Sequence, residues 1–296
     1  MTKLFPVALT LALLAGTATA ETATPQPAAT NAAVAKVTKA QQAGSATAAT
    51  IDPATSQPVA TSTAAVKITK AQQAEILAAL DREDYDKVLE RVRPLAEAGD
   101  VNAQYVLGGL YQEGRGVRQD YFKARQWYEQ AAAAGDGDAK NSLGVLYDRG
   151  LGVERDYAKA REWYEQAAEA GNATAQFNLA WLYYQGQGVK QDYAKAYELY
   201  KKAAEAGDIK AQHNLARLYL EGLGVKQDLV KAREWMAKAA AGGDSSAQLA
   251  LGMFHMSGIG GADKNEAQAL EWFQKAAAAG DPRASQFIKL MKDKTP

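Results

Sequence analysis

The stretch from Ala175 to Lys210, AQFNLAWLYYQGQGVKQDYAKAYELYKKAAEAGDIK, decides the fold, because sliding it by 36 residues in either direction lands on near-copies of itself. Copies begin at Ala103, Ala139, Ala175, Ala211 and Ala247; in the last, Trp272 and Gly280 arrive one residue late, after Gly261. A fixed period of this size marks a solenoid built from one repeated supersecondary unit.

Each tile reads as two helices. In the first, Leu179, Ala180 and Tyr183 recur at helical spacing and then run into the glycines Gly186 and Gly188, a turn. The second opens at Asp192, whose side-chain oxygen can accept from first-turn N–H groups, and runs through Ala196, Leu199, Tyr200, Ala203 and Ala204 to Gly207. Gly207 stands where a left-handed cap residue is needed, and Asp208 is placed to cap the next tile's first helix.

Small residues repeat at one place on the first helix (Gly108, Gly144, Ala180, Ala216, Gly252), and alanine pairs repeat on the second, from 131/132 to 276/277. Close helix packing is expected there. Trp127, Trp163, Leu199, Trp235 and Trp272 are expected to fill the remaining core, since an aromatic side chain buries roughly 150–250 Å².

The pattern A-x-x-x-L-G/A-x-L-Y-x-x-G-x-G-V-x-x-D-x-x-K-A-x-x-W-Y-x-x-A-A-x-x-G resembles the Sel-one-like repeat (SLR), a relative of the tetratricopeptide repeat with a longer inter-helix loop. The likeness covers Ala103 to Arg283 and departs mainly in the last copy, where Gly261, His255 and Gln268 replace the usual Val, Tyr and Lys. It implies an all-α fold: a right-handed α/α superhelical solenoid of about five 36-residue repeats with atypical capping helices, serving as a protein-binding scaffold.

Upstream, MTKLFPVALTLALLAGTATA (residues 1–20) has a lysine-bearing start, an apolar run from Leu4 to about Gly16 and a small-residue ending, which reads as a secretory signal peptide cleaved after Ala20. The alternative is an uncleaved anchor, for which the run is short against the ~20 residues of a bilayer span. The product is expected in a bacterial periplasm or outside the cell, with no integral membrane segment after cleavage. The absence of cysteine excludes a disulfide and a lipid-modified N-terminal Cys.

Residues 21–70 are rich in Ala and Thr, carry Pro25, Pro27, Pro53 and Pro58, and contain almost nothing to build a core, so they read as a flexible leader. Within it KVTKAQQA (Lys36 to Ala43) recurs as KITKAQQA (Lys67 to Ala74), either a duplicated spacer or a short docking peptide. Residues 71–102 keep Asp84, Lys87, Ala96 and Gly99 of the repeat but lose the glycine loop, and Arg91, Arg93 and Glu97 suit the polar face of an N-terminal cap. The repeats fill 103–283, and 284–296 form a last helix and tail, with Lys289 near the small-residue position.

Basic and acidic residues balance at 34 each; residues 1–70 hold five Lys and two acidic residues, which leaves 29 against 32 for the rest. A slightly acidic array lacks the footprint of a nucleic-acid binder. Glu162 and Glu165 lie three apart on one helix, but similar carboxylates recur between copies and imply no pocket. His255 takes the place held by Tyr111, Tyr147, Tyr183 and Tyr219, a partly buried aromatic site. There is no HExxH, Cys–His cluster or calcium loop, and no GxSxG or SxxK, so neither a metal, a cofactor nor catalysis is expected. The Gly-x-Gly loops lack a preceding strand and a third glycine, and read as connectors.

What varies between tiles is the third, seventh and tenth positions of the first helix, spaced i, i+4, i+7 on one face. In the tetratricopeptide arrays that these repeats resemble, this face lines the concave groove. The candidate groove residues are Tyr105, Gln112, Asn141, Asp148, Phe177, Trp181, Tyr184, His213 and Arg217. Phe177, Trp181 and Tyr184 form an aromatic patch with the composition of a binding hot spot, or else are buried against the adjacent repeat. The leading expectation is a non-enzymatic adaptor for an envelope or host protein or peptide. The alternatives are a cell-wall or glycan binder, with peptidoglycan as partner, and a β-lactamase-like hydrolase as in secreted cysteine-rich relatives, whose disulfides this chain cannot form.

Overall fold

The computed structural model describes residues 70–293. The expected signal peptide and almost all of the leader, with Lys36 to Ala43, lie outside the described residues. Among the described residues there are thirteen α-helices and no strand: α1 (Lys70–Asp81), α2 (Tyr85–Glu97), α3 (Val101–Glu113), α4 (Tyr121–Ala133), α5 (Gly137–Arg149), α6 (Tyr157–Glu169), α7 (Ala173–Gln185), α8 (Tyr193–Glu205), α9 (Ile209–Glu221), α10 (Leu229–Ala241), α11 (Ser245–Ser257), α12 (Glu266–Ala278) and α13 (Ala284–Lys292). They group into two compact units that part between Ala167 and Ala168. In each unit helices adjacent in sequence pack on one another, an all-α solenoid arrangement.

The punctuation is local chemistry repeated. Asp or Asn caps the start of nearly every helix: Asp136 accepts from the Ala139 N–H at 2.6 Å, Asp192 from Lys195 at 3.0 Å and Asp208 from Ala211 at 2.7 Å. The first helix of a tile ends on a left-handed glycine such as Gly186, at φ 72°. The second glycine of the loop has a different reason. A Cβ on Gly116 would stand 2.6 Å from the Tyr85 carbonyl oxygen and one on Gly260 2.5 Å from that of Leu229, so the connector lies directly on the start of the preceding tile's second helix.

The core differs from expectation by one residue. Trp127, Trp163, Leu199, Trp235 and Trp272 are only half-buried. The enclosed side chains are their C-terminal neighbours, Tyr128, Tyr164, Tyr200, Met236 and Phe273, each at most 2% exposed. One residue further along a helix turns the side chain by about 100°, which aims the neighbour at the small residue of the partner helix. A Cβ on Gly108 would meet the Tyr128 ring at 2.6 Å and one on Gly144 the Tyr164 ring at 2.5 Å.

A second device joins consecutive tiles. The Nε2 of Gln104 donates to the Ala96 carbonyl at 3.3 Å, and Gln176, Gln212 and Gln248 do the same to Ala168, Ala204 and Ala240 at 3.2–3.3 Å. Each thereby satisfies a carbonyl at the C-terminal end of the preceding helix. The departure at His255 also has a cause. Elsewhere a Lys lies over the tyrosine ring, as Lys123 over Tyr111 at 5.3 Å and Lys195 over Tyr183 at 5.1 Å, so His255 and Gln268 replace both members of a cation–π pair together.

The ends are built differently. In α2, Arg91 pairs with Glu75 of α1 at 3.2 Å while Arg93 and Glu97 face solvent. At the other end, Phe287 of α13 stacks on Phe273 with centroids 5.0 Å apart, and the exposed Lys289 occupies the position where earlier tiles carry Gly or Ala.

Candidate functional site

In the first unit, α3 and α5 carry Tyr105, Gln112, Asn141 and Asp148. Tyr105 is half-buried, with its ring 5.6 Å from that of Tyr128. Burial, with Asp138 nearby, pushes its phenol far above the ordinary value. Gln112 is 8% exposed, and its Oε1 accepts from the Tyr128 hydroxyl at 3.1 Å. Asn141 is half-buried on α5. Asp148, also half-buried, accepts from the Tyr164 hydroxyl at 3.4 Å, and burial raises its carboxyl against the opposing pull of Arg149 and this hydrogen bond. Position ten of the first helix therefore serves as the acceptor for the enclosed tyrosine beneath it.

In the second unit, α7 and α9 carry the rest. Phe177 is 8% exposed and lies 5.7 Å from Tyr200. Trp181 and Tyr184, one turn apart, are half-buried and stacked, with centroids 5.8 Å apart and planes inclined by 16°. Tyr193 of α8 meets Tyr184 edge-on at 5.3 Å. From α9, Arg217 lays its guanidinium 5.6 Å from the Tyr184 ring centre and donates through Nη2 to the Tyr184 hydroxyl at 3.0 Å. Arg217 is only 5% exposed, and its charge is balanced by Glu221 at 3.4 Å. One turn earlier, His213 Nδ1 lies 3.0 Å from Asp244 Oδ1, the same oxygen that caps α11 through the Ala247 N–H. Burial alone would raise the Asp244 carboxyl, but the hydrogen bond and charge of His213 outweigh it, and the group sits below the ordinary carboxylate range.

The structure thus joins Trp181, Tyr184 and Arg217 into one cluster and seats Phe177 and His213 one turn away on the same two helices. Within its own unit each of Gln112, Phe177 and Arg217 is buried rather than displayed. Sequence reasoning missed Tyr193, Glu221 and Asp244 as members of this surface. Glu221 stands four residues after Arg217 on one helix face, a spacing that signals an ion pair; nothing in the sequence announces Tyr193 or Asp244.

The cluster offers apolar ring faces and hydrogen-bonding groups with the local charge neutralised, which suits recognition. Among the described residues no group of three or more His, Cys, Asp or Glu is placed to hold a metal ion. No described helix is long and apolar enough to cross a membrane.

No curated protein matches the chain. Among solved structures it is similar to a protective antigen of uropathogenic Escherichia coli displaying an SLR fold, with 35% identity and TM-score 0.64 over 76% of this chain. It spans 49% of that antigen, about half its length. It is also similar to a Sel1 repeat protein from Oxalobacter formigenes, with 28% identity, TM-score 0.66, and coverage of 74% of this chain and 87% of the other. The Sel1 repeat family model matches five consecutive segments, 101–136, 137–172, 173–208, 209–244 and 245–281, which coincide with the helix pairs α3/α4 to α11/α12. With the tiles, their turns and their paired helices in agreement, the chain belongs to the Sel1 repeat family.

Proposed function

We propose that this protein is a non-enzymatic scaffold of the bacterial cell envelope that holds a partner protein on the face of α7 and α9. Sel1-repeat proteins generally act as protein–protein interaction scaffolds, and their all-α solenoid is typically non-catalytic. The observation that carries the reading is the stacked Trp181–Tyr184 pair with Arg217 beside it. Rigid aromatic rings flanked by an arginine are what interface hot spots are made of. Export rests on the signal-like residues 1–20; the likeness to a protective antigen accords with an envelope or extracellular place.

The test is in-cell crosslinking from a photoreactive residue at the exposed Gln185, at the C-terminal end of α7, in the wild type and in Trp181→Ala. A discrete envelope protein captured only by the wild type, with both chains equally helical, is the expected result. Equal capture by both chains, or collapse of the fold in Trp181→Ala, overturns the assignment.

A further inference from the structure

The enclosed tyrosine hydroxyls follow a rule with one exception. In the first two tiles Tyr128 and Tyr164 find their acceptors at position ten of the facing helix, Gln112 and Asp148. In the last two tiles position ten is Leu220, which has no acceptor, and Met256, whose thioether is a weak one, and the enclosed residues, Met236 and Phe273, have no hydroxyl to satisfy. The third tile breaks the pairing. Tyr200 is 0% exposed, its hydroxyl has no hydrogen-bond partner, and position ten is Tyr184, whose own oxygen is taken by Arg217.

An unmatched buried hydroxyl is costly and rare enough to require a reason. Phenylalanine fills the same site in the last tile without that cost. The neighbouring Arg217 Nε is also buried without a hydrogen-bond partner; since the same is true of Arg233, and of Arg125 and Arg161 whose Nε atoms lie 3.4 and 3.5 Å from Glu129 and Glu165, Tyr200 carries the inference and Arg217 adds to it. Burial raises the Tyr200 phenol well above its ordinary value, against the pull of the nearby Arg217 charge, so the group is a protonated donor at neutral pH. By analogy with Tyr128 and Tyr164, the hydroxyl comes up under position ten, beneath Tyr184 on the proposed docking face.

We infer that Tyr200 and Arg217 form a donor pair reserved for a carbonyl oxygen of an extended peptide segment of the partner, which takes the place of the Tyr184 hydroxyl on Arg217. A neutral acceptor fits better than a carboxylate because Glu221 already balances Arg217 at 3.4 Å. The aromatic walls, Phe177 and Trp181, would take the apolar residue beside that carbonyl. This rests on the docking reading above and names its chemistry.

The test pans a display library of random 12-residue peptides on the chain lacking residues 1–20, counter-selecting on Trp181→Ala. Recovered peptides are then titrated against the wild type and against Tyr200→Phe, Tyr128→Phe and Tyr164→Phe. Tyr200→Phe is expected to bind at least about fivefold more weakly, the size of one lost buried hydrogen bond, while melting no lower than the wild type. Tyr128→Phe and Tyr164→Phe are expected to melt lower and bind unchanged. Peptides that depend on Trp181 but bind Tyr200→Phe as tightly as the wild type would overturn this inference alone. So would a lowered melting temperature in Tyr200→Phe, which would mean that the hydroxyl already has a partner. Failure to recover any Trp181-dependent peptide would overturn the peptide-docking reading and this inference with it.

Discussion

Replacing Gly144 with alanine sets two physical effects against each other. Inside a helix alanine is favoured over glycine by about 1 kcal/mol, so propensity alone makes Gly144→Ala stabilising. The structure says the opposite. The new methyl would stand 2.5 Å from two ring carbons of Tyr164, which is 1% exposed and closed in by α5 and α6. Overpacking of this kind costs about 1–3 kcal/mol. The third tile already carries Ala180 opposite Tyr200, so the top of that range does not apply; an overpacking cost of about 2 kcal/mol less the propensity gain of about 1 kcal/mol leaves a net loss on the order of 1 kcal/mol. The fourth tile shows the cure, since Ala216 there faces Met236, an unbranched and adaptable side chain. Gly144→Ala/Tyr164→Met should therefore be more stable than the sum of its single changes predicts, by about 1 kcal/mol of coupling. Urea unfolding of the four chains followed by circular dichroism measures that coupling. A Gly144→Ala chain more stable than the wild type, or a coupling of zero, would refute the glycine–tyrosine packing argument.

Other expectations follow from single contacts. Gln212→Ala, which removes the 3.2 Å bond to the Ala204 carbonyl, should cost about 0.5–1.5 kcal/mol in the same unfolding assay; no change would mean that the repeated glutamine joins nothing. Gly224→Ala, at φ 68° against the backbone of Tyr193, should cost more than Gly207→Ala, at φ 94° in open space, where only the left-handed penalty of about 1–2 kcal/mol applies; equal losses would contradict the loop contact. Asp244 has a folded-state pKa below its ordinary 3.8, so its ionised form contributes stability that is complete above that value and is lost as the pH falls through the lower folded value. Asp244→Asn keeps a capping oxygen but no charge, so its stability deficit at pH 6 should shrink below pH 3.8; a deficit independent of pH would remove His213 from the account.

The parts of the fold legible in sequence were those fixed within a few residues: the period, the Asp and Asn caps, and the glycine turns. Which aromatic lies inside was not legible, because Trp127 and Tyr128 are adjacent and both large, and only the spacing between helices selects one. The clue lay on the other helix, where Gly108 and Gly144 mark the place that a ring must enter. The stripe proposed as a docking face was legible as an i, i+4, i+7 pattern, but the depth at which its side chains lie was not. Arg217 and Phe177 are buried through contacts with Tyr184 and Tyr200, which lie elsewhere along the chain, and periodicity carries no information about those distances. The glutamines at 104, 176, 212 and 248 recur in four of the five tiles, with Lys140 in the other, so a reading that sought the most variable positions passed over them.

The most direct test of the docking account is calorimetric titration of the partner recovered by crosslinking against the wild type and Trp181→Ala. The account predicts affinity weakened by about 30-fold, corresponding to roughly 2 kcal/mol at a hot-spot aromatic, with helicity unchanged. Equal affinity for both chains would place the partner elsewhere on the protein and contradict it.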